Sequence, residues 1–80
     1  MRRRQRTSDI VAEMVANVIR VAVSPGDQVQ AGDAVVLLES MKMEIPVLSE
    51  HAGTVESVHV DPGDVVQEGD LLVTLEAEAD

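Results

Sequence analysis

VIRVAVSPGDQVQAGDAVVLLE, residues 18–39, returns as VESVHVDPGDVVQEGDLLVTLE, residues 55–76. The two stretches are identical at 13 of 22 positions, including Pro25/Pro62, Gly26/Gly63, Asp27/Asp64, Gly32/Gly69, Asp33/Asp70 and the valine pairs Val18/Val55 and Val36/Val73. Two copies are too few for a solenoid, which needs about three or more. Two halves that each leave an apolar face uncovered are expected to pack on one another, as a pseudo-twofold sandwich or flattened barrel.

Each half reads in the same way. Val18, Val21 and Val23 begin a strand that Ser24-Pro25-Gly26-Asp27 ends. Proline presets φ at the second position of a type II turn, and glycine accepts positive φ at the third. A short run through Val29 reaches a second turn at Ala31-Gly32-Asp33, and 34–39 forms a longer strand. In the second half Val55, Val58 and Val60 precede Asp61-Pro62-Gly63-Asp64; Glu68-Gly69-Asp70 follows, and 71–76 closes. Asp27, Asp33, Asp64 and Asp70 are expected to cap their turns through local hydrogen bonds. Spread over four turns, they lack the spacing of a calcium loop.

Composition narrows the fold further. Eighty residues make one small domain, able to bury roughly 60–65% of its unfolded surface. With no cysteine there is neither a disulfide nor a thiolate metal site, and with no Phe, Trp or Tyr the core must be aliphatic. Valine dominates, and β-branched side chains suit a pleated, half-buried surface. The chain is predicted to be all-β.

The formal net charge is −9, and five of the six basic residues lie in the first twenty. An acidic body repels nucleic acid and anionic membranes, and stacking platforms for single strands are lacking. No stretch is long enough to span a membrane. Asp9, Glu13 and Asn17 interrupt what would be the apolar part of a secretory signal, so the expectation is a mature cytoplasmic subunit. Arg2-Arg3-Arg4-Gln5-Arg6 is expected to be part of a solvated, disordered head, residues 1–9.

The repeat also isolates what is not shared. After Glu39 the first half runs into Ser40-Met41-Lys42-Met43-Glu44, whereas the second half runs out at 77–80. Lys42 is the only lysine, set between the apolar runs 35–38 and 45–48. Two β-prone runs so closely spaced read as a hairpin with Lys42 at its tip. Methionine is usually core filler, but at a two-residue tip Met41 and Met43 cannot both be buried. They are therefore expected to be exposed.

Other candidates for chemistry are thin. His51 and His59 fall on different elements with no obvious third metal ligand. His59 aligns with Ala22, which puts it on an outer strand face. Glu39 and Glu44 flank the lysine, but Glu39 has a twin in Glu76 and so reads as scaffold. No P-loop, dinucleotide glycine pattern or Ser-His-Asp order appears, and no catalytic residue is assigned.

Glu39-Ser40-Met41-Lys42-Met43, set between two Gly-Asp-rich half repeats, resembles the biotinyl/lipoyl attachment domain, and specifically its biotin carboxyl carrier branch. The resemblance covers residues 10–77, with 1–9 and 78–80 as tails, and includes Ala52-Gly53-Thr54-Val55. It implies a flattened barrel of two four-stranded antiparallel sheets, Lys42 exposed at one end and both termini at the other. It also implies biotin joined to Lys42 by a biotin protein ligase, with Met41 and Met43 as the flanking recognition motif. The chain would then be a non-catalytic carrier between a biotin carboxylase and a carboxyltransferase, for an acyl-CoA or an oxo acid. A lipoyl carrier, which usually shows Asp-Lys-Ala, and an unmodified interaction module are the alternatives.

Three features depart from the family pattern. Ser40 stands where alanine is usual, a small-for-small change. Ala16-Asn17 replaces the usual glycine-containing lead-in, so the first strand of the repeat is expected to begin differently from its twin at Gly53-Thr54. Val23 passes directly through its turn to Val29, leaving no room for an inserted thumb.

Overall fold

The computed structural model of the chain describes residues 6–77, with the side chains of 7–76. Eight strands follow one another: β1 (Arg6–Val11), β2 (Ala16–Val21), β3 (Gln28–Val29), β4 (Ala34–Ser40), β5 (Met43–Leu48), β6 (Gly53–Val58), β7 (Val65–Val66) and β8 (Leu71–Ala77). They form two four-stranded antiparallel sheets. One, the terminal sheet, has the order β1-β8-β6-β3; the other, the hairpin sheet, has the order β5-β4-β2-β7. Every strand of residues 6–40 has a twin of equal length, shifted by the sequence repeat, in residues 43–77. Only Met41 and Lys42 lie between the two structural copies.

The repeat therefore reaches further than the identities do. β1 and β5 are twins despite having no residue in common, and β2 begins in the same register as β6. Ala16 is buried at the position of the buried Gly53, so the expectation of a different start is corrected: a methyl group fits where the second half has a hydrogen. The expected boundary of the basic head is also too late. Arg6–Asp9 belong to β1, where the backbone pairs with β8 from Ala77 to Thr74. Thr7, Ser8 and Asp9 hide that strand in the sequence, because an edge strand needs little apolar signal. The remainder of the head, residues 1–5, and the tail 78–80 lie outside the described residues.

Bulges reconcile the valine spacing with a two-faced sheet. Val18 and Val21, three apart, would face opposite sides of a regular strand. The register of β2 against β4 shifts between Val18 and Arg20, and that of β6 against β8 shifts between Val55 and Ser57. The extra residue turns the following side chains back inward. A second pair of bulges lets consecutive residues enter the core. Val35 and Val36 are both fully buried, as are Leu72 and Val73. The core is thus a set of twins: Val18/Val55, Val29/Val66, Val35/Leu72, Val36/Val73 and Leu38/Leu75. Each buried valine or leucine contributes about 1.5–3 kcal/mol.

All four Asp turns close as the sequence predicts. Asp27, Asp33, Asp64 and Asp70 each accept the backbone N–H three residues earlier at 2.8–2.9 Å. The same turns tie the halves together. Gly26 N–H donates to Val55 carbonyl oxygen and Val55 N–H to Asp27 carbonyl oxygen; Gly63 and Val18, with Asp64, repeat the exchange, all at 2.8 Å. β3 of the first half accordingly sits in a sheet with β6 and β8 of the second, and β7 sits with β2 and β4. Neither half can complete a sheet by itself.

Gly63 has φ +97° and open space where a Cβ would stand, so a side chain there meets backbone strain alone. Gly63→Ala should lower unfolding free energy by about 1–2 kcal/mol. Urea denaturation checks this, and Gly26→Ala should cost the same by pseudo-symmetry.

Candidate functional site

The β4–β5 hairpin closes with Ser40 opposite Met43 and Glu39 opposite Glu44. Only Met41 and Lys42 remain for the loop, at φ 55° and 65°. Positive φ at both central residues marks a type I′ turn, whose twist matches that of the flanking strands. Such a turn normally recruits Asn-Gly, because a Cβ in the left-handed region costs about 1–2 kcal/mol. This chain places two long side chains there. Strain of this kind persists where the surroundings over-determine the backbone, and it concentrates at functional positions.

The turn therefore presents Lys42 outward on a stiff support. Met41 is 90% exposed and Met43 63% exposed, so neither is core filler. Lys42 is exposed between them. Glu39 is half-buried and Glu44 exposed, facing each other across the hairpin one row behind the turn. Like charges directly opposite are unfavourable in a sheet, so the pair adds negative field near the amine at some cost to the scaffold.

The hairpin tip and the strand ends lie at opposite poles. Asn17 pairs with Glu39, so the start of β2 sits beside the tip. Four residues link it to Val11, the last residue of β1, and Arg6 lies five residues back along that strand, about 17 Å away. Arg6 pairs with Ala77 there.

The two histidines are not brought together. His51 lies in the β5–β6 loop, at the pole away from Lys42, where its N–H and carbonyl both bond Ser49 Oγ. His59 follows β6 on the outer face of the terminal sheet. Its Nε2 lies 3.0 Å from both Ser57 Oγ and Thr74 Oγ1, and the Thr74 hydroxyl donates to Asp9 at 3.4 Å. Both hydroxyls meet the same ring nitrogen, so the network orients the imidazole without building a nucleophile–base–carboxylate relay. Sequence reading placed His59 on the outer face and missed these bonds, since Ser57, Thr74 and Asp9 are joined only by strand pairing. A groove of about 580 Å³ runs along the open edge between β1 and β5, lined by Val11, Ile45, Val47 and Leu48 among others. Its lining includes none of Met41, Lys42 and Met43.

Comparison with known proteins identifies the family. The family profile described as "Biotin-requiring enzyme" matches residues 6–75. The biotinylated protein TB7.3 homolog of Mycobacterium leprae is 64% identical over 45 residues, 56% of this chain and 63% of that protein. The biotin/lipoyl attachment protein of Bacillus subtilis is 46% identical over 41 residues, 51% of this chain and 56% of that one. These matches span less than two thirds of the relatives' own lengths. Among solved structures, a single-chain, multi-domain long-chain acyl-CoA carboxylase superposes with a TM-score of 0.84 at 31% identity, over 92% of this chain and 7% of that one. The lipoyl domain of the 2-oxoglutarate dehydrogenase complex of Azotobacter vinelandii superposes with a TM-score of 0.68 at 26% identity, over 82% of this chain and 94% of that domain.

If the turn is strained, its preferred residues should relieve it. The double substitution Met41→Asn, Lys42→Gly should raise unfolding free energy by about 1 kcal/mol. Equilibrium denaturation reads this directly, and a loss of stability would mean that Met41 or Lys42 contributes to the fold.

Proposed function

The chain belongs to the biotin/lipoyl attachment family and takes covalent biotin, and on that premise we propose that Lys42 is the attachment point and the chain a carboxyl carrier. One observation carries the assignment to Lys42: it is the chain's only lysine, exposed on a two-residue type I′ turn at the pole opposite the strand ends. An amine in that position can enter another protein's active site without disturbing the barrel. Met41 and Met43 flank it with exposed, adaptable apolar surface that a ligase can grip.

What this chain supplies is placement. The turn holds the Lys42 backbone fixed, so that a group joined to Nζ is tethered at high effective concentration for whichever active site the hairpin approaches. Biotin, when attached, supplies the chemistry, carrying a carboxyl group on its ureido ring. Amide formation at Nζ removes one positive charge and leaves the Glu39–Glu44 pair unopposed at the tip. The partners are a biotin protein ligase, which forms the amide, and biotin carboxylase and carboxyltransferase components of an acyl-CoA carboxylase. The superposition on the long-chain acyl-CoA carboxylase supports the acyl-CoA reading. So does a 48% identity over 44 residues to the biotin-dependent acyl-coenzyme A carboxylase alpha3 subunit of Mycobacterium leprae. The glutaconyl-CoA decarboxylase gamma subunit of Acidaminococcus fermentans, 42% identical over 39 residues, is likewise named for a CoA thioester.

Co-expression with a biotin protein ligase should add one biotinyl increment to the intact mass and give a streptavidin signal. Lys42→Arg should abolish both while leaving the unfolding free energy within about 0.5 kcal/mol of wild type, as for other exposed positions. A lipoyl increment from cells, or an unchanged mass, would overturn the biotin assignment at Lys42.

A further inference from the structure

The pseudo-twofold supplies an internal control for the surface. Each outward-facing residue of the hairpin sheet has a twin on the terminal sheet, in the same strand geometry but away from Lys42. Ile19, Leu37, Pro46 and Val65 on the hairpin sheet, and Val15 just before β2, occupy positions whose twins are Glu56, Thr74, Asp9, Gln28 and Ala52. Val65 is 65% exposed and Val15 60% exposed, and Ile19 and Pro46 are also exposed. The scaffold does not require large apolar side chains at these places, because its other half carries Ala, Glu, Thr, Asp and Gln. At these twin positions large apolar side chains are exposed on the hairpin side alone, and that difference points to a partner.

The patch is continuous with the hairpin. Val65, Asn17, Glu39 and Glu44 form one row across the sheet, set by the pairings Asn17↔Val65, Asn17↔Glu39 and Glu39↔Glu44. Ala16 lies in the next row with Ser40 and Met43. Val15, one residue nearer the tip, is therefore level with Met41. Behind this row, Arg20, Leu37 and Pro46 make the next outward one, whose twin on the terminal sheet is the hydrogen-bonded row Ser57, Thr74 and Asp9. The acidic rim is asymmetric as well, since Glu44 stands opposite Thr7 in the duplicate.

We infer that the outer face of the hairpin sheet is the docking surface for the biotin protein ligase, with an apolar centre at Val15, Ile19 and Val65 and an acidic rim at Glu39 and Glu44. The inference rests on Lys42 being the acceptor. The ligase is the occupant because its chemistry is at Lys42 Nζ itself, within one lysine side chain of the turn. Enzymes that act at the far end of the longer biotinyl arm need not cover the body. A specific interface buries roughly 800 Å² on each partner, more than a two-residue turn offers, so the ligase must spread onto one adjoining face. The hairpin sheet's apolar face is complementary to a ligase surface that is apolar at its centre and basic at its edge.

The test transplants the duplicate's own residues. Val15→Ala, Ile19→Glu and Val65→Gln together give the hairpin sheet the side chains its twin carries, so the fold should persist by circular dichroism and denaturation midpoint. With a purified biotin protein ligase, ATP and biotin, this variant should lose at least tenfold in kcat/KM for the chain. The loss should lie in KM, with kcat at saturating chain within twofold. Gln28→Val with Glu56→Ile on the terminal sheet should leave kcat/KM within twofold. KM for wild type should rise with salt. A triple variant loaded within twofold of wild-type efficiency would overturn the inference while leaving Lys42 as acceptor. A wild-type chain that takes up no biotin would instead refute the acceptor assignment. If the triple variant unfolds, Val65→Gln alone decides, with at least a threefold rise in KM expected and an unchanged KM overturning the proposal. A wild-type dimer by light scattering that the variant makes monomeric, with ligase kinetics unchanged, would assign the face to a second copy and overturn it too.

Discussion

The exchange of backbone hydrogen bonds between the two halves is the constraint on which the rest of the structure depends. Val18 gives its N–H to Asp64 carbonyl oxygen and takes the N–H of Gly63; Val55 does the same with Asp27 and Gly26. These bonds seat each half's Pro-Gly turn on β2 or β6 of the other half, so each sheet is built from two strands of each copy. The turns can make the exchange because each is closed by its own aspartate and carries glycine where φ is positive. An aliphatic core without aromatics, disulfides or a metal-thiolate site is sufficient when its two contributions interlock in this way.

Interlocking also explains the location of the site. A duplicated barrel has two equivalent poles. At one, β1 and β8 meet and the described chain begins and ends; at the other, the twins of those strands, β5 and β4, are joined. Among the described residues the join is the only place where the chain adds residues outside the repeat, and it adds two. With two residues the favoured closure is a turn of positive φ, and Met41 and Lys42 adopt it despite their side chains. Attachment at Lys42, as proposed, calls for a rigid, exposed amine. Duplication supplies the rigidity, and the unduplicated link supplies the amine.

Much of the fold was legible from residues. Pro25-Gly26-Asp27 and Pro62-Gly63-Asp64 announce their turns, and the paired valines announce an all-β core, because turn chemistry and β-branched spacing are local properties. The hairpin around Lys42 was legible for the same reason. β1 was not: Thr7, Ser8 and Asp9 carry no strand pattern, and their conformation comes from the edge of β8 that they pair with. The register shifts were visible only as an anomaly, the three-residue spacing of Val18 and Val21, whose resolution needs the partner strand. His59 shows the limit at the level of a single side chain. Its place on an outer face follows from alternation, but its bonds to Ser57 and Thr74 follow from bulged pairing between distant strands.

By itself the sequence determined that the chain is an aliphatic, acidic, duplicated β domain with one lysine at the break in the duplication. Those are matters of composition, local turn preference and self-similarity, which a single strand of text contains. Only the tertiary structure decided that the duplication extends through β1 and β5, that the Lys42 turn is strained, and that the two outer faces differ in character. Val65 lies far from Val15 and Ile19 in sequence, with five strands begun or completed between them. Strand pairing alone carries them onto one face, and pseudo-symmetry alone shows that the fold did not need them to be apolar.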